Sequence, residues 1–276
     1  MGIVLVSADL HVHSVFSDGC LSPRQLVEGA QGLGLAALAI TDHDSLQGVP
    51  EAIERGLELG IVVLPGIEIS CSEHQDEYHI LGYRMDCSYE PLLVQLERIQ
   101  LERARRAERI VAQLAEPGVR LSYSRIREIA GAGVVGRPHI ASALVEKGYS
   151  VSIRDAFARY LNAGQPGYVP RYRLGVRHGI NLIREAGGIP VWAHPGEKFS
   201  SARLEELKSL GLMGVEVWHP DHSPEQMLWI ADQAARAGLL VTGGSDFHCQ
   251  QPDYPALGSY LTPKWALAAL LSISAS

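Results

Sequence analysis

The stretch DLHVHSVFSDGC, running from Asp9 to Cys20, sets His11 and His13 two residues apart and carries a carboxylate on either side, Asp9 and Asp18. Residues i and i+2 of a strand face the same way, so one metal ion can take both imidazoles. A lone histidine is more often a satisfied structural residue than a ligand, and a single H-x-H says little. Here the pattern recurs. TDHD offers Asp42 and His43, PGIEIS offers Glu68, YHI offers His79, AHP offers His194, and GSDFH offers Asp246 and His248. Histidines and carboxylates gathered in one place are costly to desolvate unless cations organise them. Asp9 and Asp42 are also suited to orienting ligands rather than binding metal themselves.

The elements that must position these residues are short apolar runs. GIVLVSADL, LAALAIT, IVVLPGIEI, EYHILGY, IPVWAH, MGVEVWH and LLVTGGSD each suit a buried strand, and helical patterns separate most of them. Ser22-Pro23 and Ser223-Pro224 read as helix starts, Gly60 and Gly238 as helix ends. Seven strands alternating with helices imply an α/β fold with a parallel sheet, most simply a distorted (β/α)7 TIM-like barrel. The candidate ligands then fall at the carboxyl ends of strands, where such folds build their sites. Between EYHILGY and IPVWAH the rhythm breaks for more than a hundred residues, opening with the arginine-bearing helical pattern PLLVQLERIQLERARRAERIVAQLAE. Residues 97–173 are therefore expected to form a small helical insertion domain over one end of a barrel made from 1–96 and 174–276.

Composition bounds the partners. A chain of 276 residues, 46% apolar and 20% charged, can bury a large core. No run approaches about 18 uninterrupted apolar residues and no export signal opens the chain, so a cytoplasmic protein that avoids membranes is expected. Cys20, Cys71, Cys87 and Cys249 are scattered, as reduced thiols would be. The net charge of −7 conceals an asymmetry: residues 98–177 carry fifteen Lys or Arg against six Asp or Glu. An acidic body with a basic insert suits a protein that holds cations in the body and an anionic substrate under the cover.

DLHVHSVFSDG, ITDHD, PGIEIS, AHP and GSDFH resemble the motifs of the PHP (polymerase and histidinol phosphatase) family of metal-dependent phosphoesterases. GRPHIASALVEKG and GQPGYVP further resemble its TrpH/YciV-like branch, whose members hydrolyse nucleoside 3′,5′-bisphosphates and in some cases act as 5′-to-3′ exoribonucleases. The resemblance implies three divalent ions. His11, His13, Glu68 and Asp246 would hold the first, Glu68 would bridge to a second held by His79 and His194, and Asp18, His43 and His248 would hold the third. Mixed oxygen and imidazole ligation fits Mn²⁺, with Fe²⁺ or Zn²⁺ as alternatives.

Cations about 3.5–4 Å apart can supply a bridging hydroxide at neutral pH, so no protein nucleophile is required. Ser245 has no G-x-S-x-G elbow around it. A second substrate phosphate needs cationic partners of its own, for which Arg137 and His139 in GRPH, Lys198, and Arg171 are candidates, with His219 as a further substrate contact. The expected activity is removal of the 3′-phosphate from a nucleoside 3′,5′-bisphosphate such as pAp. Alternatives are 5′-to-3′ exonuclease action on short 5′-phosphorylated RNA or DNA, histidinol-phosphate hydrolysis, and a non-catalytic metal-binding or nucleotide-sensing role. The partner is a small nucleotide or short oligonucleotide, and no obligate protein partner is evident.

Overall fold

The computed structural model describes residues 7–74, 76–131, 133, 135–250 and 255–273. Part of the first expected strand, residues 1–6, lies outside them. Eight strands form one sheet: β1 (Ser7–Val12), β2 (Ala37–Ile40), β3 (Val62–Glu73), β4 (Asp76–Tyr83), β5 (Ile189–Trp192), β6 (Gly214–Trp218), β7 (Leu240–Gly243) and β8 (Thr262–Pro263). Their order is β7-β6-β5-β4-β3-β2-β1-β8. The chain following β7 returns to β1 through a Val12–Phe247 bridge, with the His13 N–H donating to the Phe247 carbonyl at 2.9 Å. The sheet is thereby nearly closed into an α/β barrel.

Two departures from the expected barrel have local causes. The sheet is not wholly parallel, because β4 runs antiparallel to both β3 and β5. A parallel connection needs a crossover of about a dozen residues, and only His74 and Gln75 separate β3 from β4. The two-residue β8, antiparallel to β1, was not anticipated from its sequence.

Helices α1 (Pro23–Gly32), α2 (Val49–Leu59), α7 (Val176–Glu185), α8 (Ser201–Ser209), α9 (Pro224–Ala237) and α10 (Lys264–Ser272) accompany the sheet. Ser22 and Ser223 cap α1 and α9, each in a capping box completed by Gln25 or Gln226. Gly60 and Gly238 end α2 and α9 at φ of 71° and 67°, a backbone conformation that costs glycine little.

The helical interval contains α3 (Glu90–Ala115), α4 (Tyr123–Ala130), α5 (Arg137–Glu146) and α6 (Ile153–Ala156), the last running into a π turn at Phe157–Leu161. The 26-residue α3 starts earlier than residue 97 and changes partners along its length. Leu92, Leu96 and Ile99 pack with barrel residues such as Ile69, Ile80 and Trp192. Ile110 and Leu114 instead join Ile126, Ile140, Leu144 and Leu161 in a separate apolar cluster drawn from residues 107–169. The stretch between supplies Glu102, Arg103 and Arg106 to the wall of a cavity that Asp18, His43 and His79 also line. Among the described residues no helix is long and apolar enough to cross a membrane.

Candidate metal centre and arginine cavity

The nine histidines and carboxylates expected as ligands meet in one buried mouth, though not all from strand ends. His11, His13, His43, His194, Asp246 and His248 lie at or just past the ends of β1, β2, β5 and β7, Asp18 lies in the turn after β1, and Glu68 and His79 stand in the middle of the long strands β3 and β4. His11 and His13 are fully buried, and their Nε2 atoms lie 3.3 and 3.1 Å from Asp246 Oδ1 and 3.4 Å each from Glu68 Oε2. Glu68 sits at the centre. Its Oε1 is 2.7 Å from His79 Nδ1 and 3.0 Å from His194 Nε2, and these two nitrogens are 3.2 Å apart. Its Oε2 is 2.8 Å from His43 Nδ1. A further group gathers His13, Asp18, His43 and His248, with His248 Nε2 3.4 Å from Asp18 Oδ1. His13 thus stands between the first and third expected ligand sets.

This geometry needs unusual backbone. His194 and Asp246 have φ of 24° and 51°, in the left-handed region that costs non-glycine residues about 1–3 kcal/mol. Gly244 meets a different demand: a Cβ there would lie 2.3 Å from the His11 backbone nitrogen, so only glycine lets the end of β7 approach β1.

Supporting carboxylates fix the rings and loops. Glu216 on β6 lies 3.0 Å from His11 Nδ1 and accepts the His194 backbone N–H at 2.8 Å. A carboxylate only accepts, so Nδ1 of a neutral His11 carries the proton and Nε2 presents its lone pair to the mouth. Asp42 accepts the Ser14 N–H, the Ser14 hydroxyl and the Ser17 hydroxyl at 2.6–2.7 Å. Asp9 accepts from Ser245 and Gly258. Both aspartates hold loops, in keeping with an orienting role. Removing such support typically costs about 10–100-fold in metal affinity or activity. Glu216→Gln is expected to lose about that much, read by metal titration and by turnover; unchanged values for both would show that Glu216 does not support His11.

The side chains present fit divalent ions. His11 Nε2, His13 Nε2, Asp18 Oδ1, His43 Nδ1 and Glu68 Oε2 are buried without a hydrogen-bond partner, and each such atom ordinarily costs about 1–3 kcal/mol. Burial would raise the carboxyls of Glu68, Asp18 and Asp246, but the surrounding imidazoles hold all three well below the usual carboxylate range. Burial pushes His13 and His79 down to about 4, whereas the facing carboxylates raise His11, His43 and His194 despite their burial and take His248 up to about 10, so carboxylates and imidazoles here answer one another's charge.

His219 is also buried in the mouth, grouped with His11 and Asp246. Its Nδ1 accepts the Asp221 N–H at 3.1 Å, so a neutral ring carries its proton on Nε2, 3.5 Å from Asp246 Oδ2. That makes it a donor facing the site.

A cavity of about 170 Å³ opens directly from Asp18, His43 and His79, and Arg103, Arg106, Arg137 and Arg171 line it. Arg137 stacks over Phe157, 5.4 Å from the ring centre, and Arg171 pairs through two nitrogens with Glu77. Burial, reinforced by Arg137, Arg171 and Arg103, pushes Arg106 down to about 10, the mark of a cationic cluster short of anions. His139 is buried at the start of α5, where its Nδ1 accepts the Gly136 N–H at 3.0 Å; it is not among the residues lining this cavity. Lys198 lines a separate open cleft beside His79 and His194 and donates to the Glu77 carbonyl at 2.7 Å. Arg103 and Arg106 were not singled out from sequence. Their signal was three-residue spacing beside the apolar positions Ile99, Ala107 and Ile110, which places both on the buried face of α3 that lines the cavity.

The PHP domain family matches residues 9–168. The chain is 34% identical over 250 residues to a 3′,5′-nucleoside bisphosphate phosphatase from Chromobacterium violaceum, covering 88% of each chain. It is 36% identical over 252 residues to the 5′-3′ exoribonuclease Rnm of Escherichia coli, covering 87% of this chain and 84% of the relative. A Bifidobacterium adolescentis crystal structure, provisionally described as a metal-dependent phosphoesterase, superposes with a TM-score of 0.89 at 36% identity, covering 96% of this chain and 95% of that one.

Proposed function

The chain belongs to the PHP domain family and is a metal-dependent phosphoesterase, and from that premise we propose that it removes the 3′-phosphate from nucleoside 3′,5′-bisphosphates such as pAp, yielding the 5′-nucleotide and phosphate. The observation that carries this reading is the arginine cavity abutting the metal-ligand cluster. A phosphatase acting on a lone phosphate has no use for unpaired guanidinia beside its metals, whereas a bisphosphate needs one place for the phosphate being cleaved and another for the one retained. The cavity's 170 Å³ is below the roughly 300 Å³ of sites that enclose a drug-sized ligand, so it suits one end of a nucleotide.

We assign His11, His13, Glu68 and Asp246 to one ion, Glu68, His79 and His194 to a second, and Asp18, His43 and His248 to a third, with Mn²⁺ as the preferred metal. Bound there, the ions would supply Lewis acidity at the phosphoryl oxygens and an activated water as nucleophile. Hydrolysis then breaks the bond between phosphorus and O3′, water giving its oxygen to phosphorus and a proton to the leaving oxygen. Glu216 holds the His11 tautomer, Asp42 holds the 14–17 loop, and Arg137 and Arg106 hold the retained phosphate. Residues 97–173 act as the cover that carries all four cavity arginines over the metals.

The open cleft beside His79 and His194 supports a second use of the same centre, 5′-to-3′ trimming of short 5′-phosphorylated oligonucleotides, since a strand continuing past the scissile phosphate needs an exit. Histidinol phosphate is disfavoured because its ammonium group would face the arginines. Product analysis tests the assignment: pAp should give AMP and phosphate, and release of adenosine 3′-phosphate instead would reverse the proposed orientation. Chelation should abolish turnover and lower Tm, and Mn²⁺ should restore both with about three ions per chain, because a ligand that binds only the folded state stabilises it. Full activity in a demonstrably metal-free sample would refute the metal assignment.

A further inference from the structure

The charge inside the arginine cavity is partly cancelled by the protein itself. Arg103 donates to Asp44 Oδ2 at 2.5 Å, and Arg171 donates Nε to Glu77 Oε1 at 2.7 Å while a second nitrogen meets Oε2. Arg106 and Arg137 make no ion pair among the described residues; Arg106 donates Nε to the Val169 carbonyl at 2.7 Å, and Arg137 stacks on Phe157. Glu102, also at the wall, pairs with Arg105 at 2.8 Å. Two guanidinium charges are left unmatched. A terminal phosphate monoester carries about −1.5 to −2 near neutral pH, which matches that count.

Asp44 and Glu77 differ in their freedom. Asp44 is fully buried, and its other oxygen is tied to the Ser70 N–H at 2.8 Å, so the Arg103 pair is part of the barrel. The side chain of Glu77 is 46% exposed, and its carboxylate stands in the cavity wall where an incoming anion arrives. We propose that Glu77 determines specificity: by cancelling the Arg171 charge it tunes the cavity to a single terminal phosphate monoester and disfavours nucleotides carrying a diphosphate or triphosphate at that end. The extra phosphate would bring surplus negative charge against a fixed carboxylate, and like charges set together are how interfaces reject wrong partners. This rests on the reading of the cavity as the site of the retained phosphate.

The test is the affinity of Mn²⁺-loaded protein, freed of excess metal, for adenosine 5′-monophosphate and adenosine 5′-diphosphate. It is measured by calorimetry on wild type, Glu77→Gln, Arg171→Gln and the double variant. Wild type should favour the monophosphate, Glu77→Gln should lower that preference about tenfold, and the double variant, with the original charge restored, should return it close to wild type. Arg171→Gln alone should strengthen the preference. Equal preference in wild type and Glu77→Gln would overturn the proposal, as would a double variant that behaves like Glu77→Gln, since a residue that merely positioned Arg171 would not be rescued by losing it. Failure of wild type to bind either nucleotide would overturn it too. A protein that binds with the expected preferences but releases no phosphate from pAp would instead contradict the catalytic reading and leave the Glu77 assignment standing.

Discussion

Glu68→Gln is expected to lower kcat by at least ~10³-fold and to release at least one metal ion per chain, with far-UV circular dichroism unchanged. No other side chain in the mouth has as many ring partners. Its two oxygens lie within 2.7–3.4 Å of nitrogens on His11, His13, His43, His79 and His194. A glutamine keeps the shape but loses the charge, and an amide is a poor bridge between cations. The change therefore weakens the proposed first and second sites together, rather than trimming a single ligand. Metal analysis beside single-turnover kinetics separates lost ions from lost chemistry. Wild-type turnover with a full metal complement would show that Glu68 does not bridge.

The second large effect lies at the other end of the substrate. Arg137→Ala should raise the KM for pAp by about 30–150-fold, corresponding to about 2–3 kcal/mol for a lost charge-assisted contact, and leave kcat within about threefold. Adenosine 3′-phosphate, which lacks the retained phosphate, should be hydrolysed by variant and wild type alike. That contrast separates a binding role from damage to α5, because a misplaced helix would harm both substrates. A KM for pAp unaffected by the substitution would remove Arg137 from the proposed phosphate site.

That these histidines and carboxylates gather in one place was legible because most sit at or beside recognisable apolar runs, and the spacing of H-x-H or D-F-H fixes which side chains share a face. Glu68 stood out as a lone carboxylate among Ile67, Ile69 and Pro65, while the division of the residues into ligand sets came from the motif resemblance. Glu216 carried a comparable signal, a charge inside the buried strand GVEVW that faces the same mouth by position, but its partner His11 lies 205 residues away on β1, and such a pairing is invisible to local spacing. The antiparallel β4 escaped notice because the hairpin before it lacks a glycine or Asn-Gly turn; His74 takes up the bend at φ 52°. Arg103 and Arg106 read as the polar face of an amphipathic helix. What changes their meaning is that α3 leaves one apolar cluster and enters another at that point, turning the face that bears them over the metal mouth. The cap residues of α1 and α9 needed no such context, since a side-chain oxygen and the N–H groups two or three residues on suffice.

The central claim is that one metal centre and one arginine cavity together hold a substrate with two phosphates. It is tested most directly by the kcat/KM of the Mn²⁺-loaded protein for pAp, adenosine 3′-phosphate, a 5′-phosphorylated trinucleotide and histidinol phosphate under one set of conditions. The account predicts that pAp exceeds adenosine 3′-phosphate by at least about 30-fold, the worth of the retained phosphate, and that histidinol phosphate is the poorest of the four. Equal turnover of pAp and adenosine 3′-phosphate, or a preference for histidinol phosphate, would contradict it.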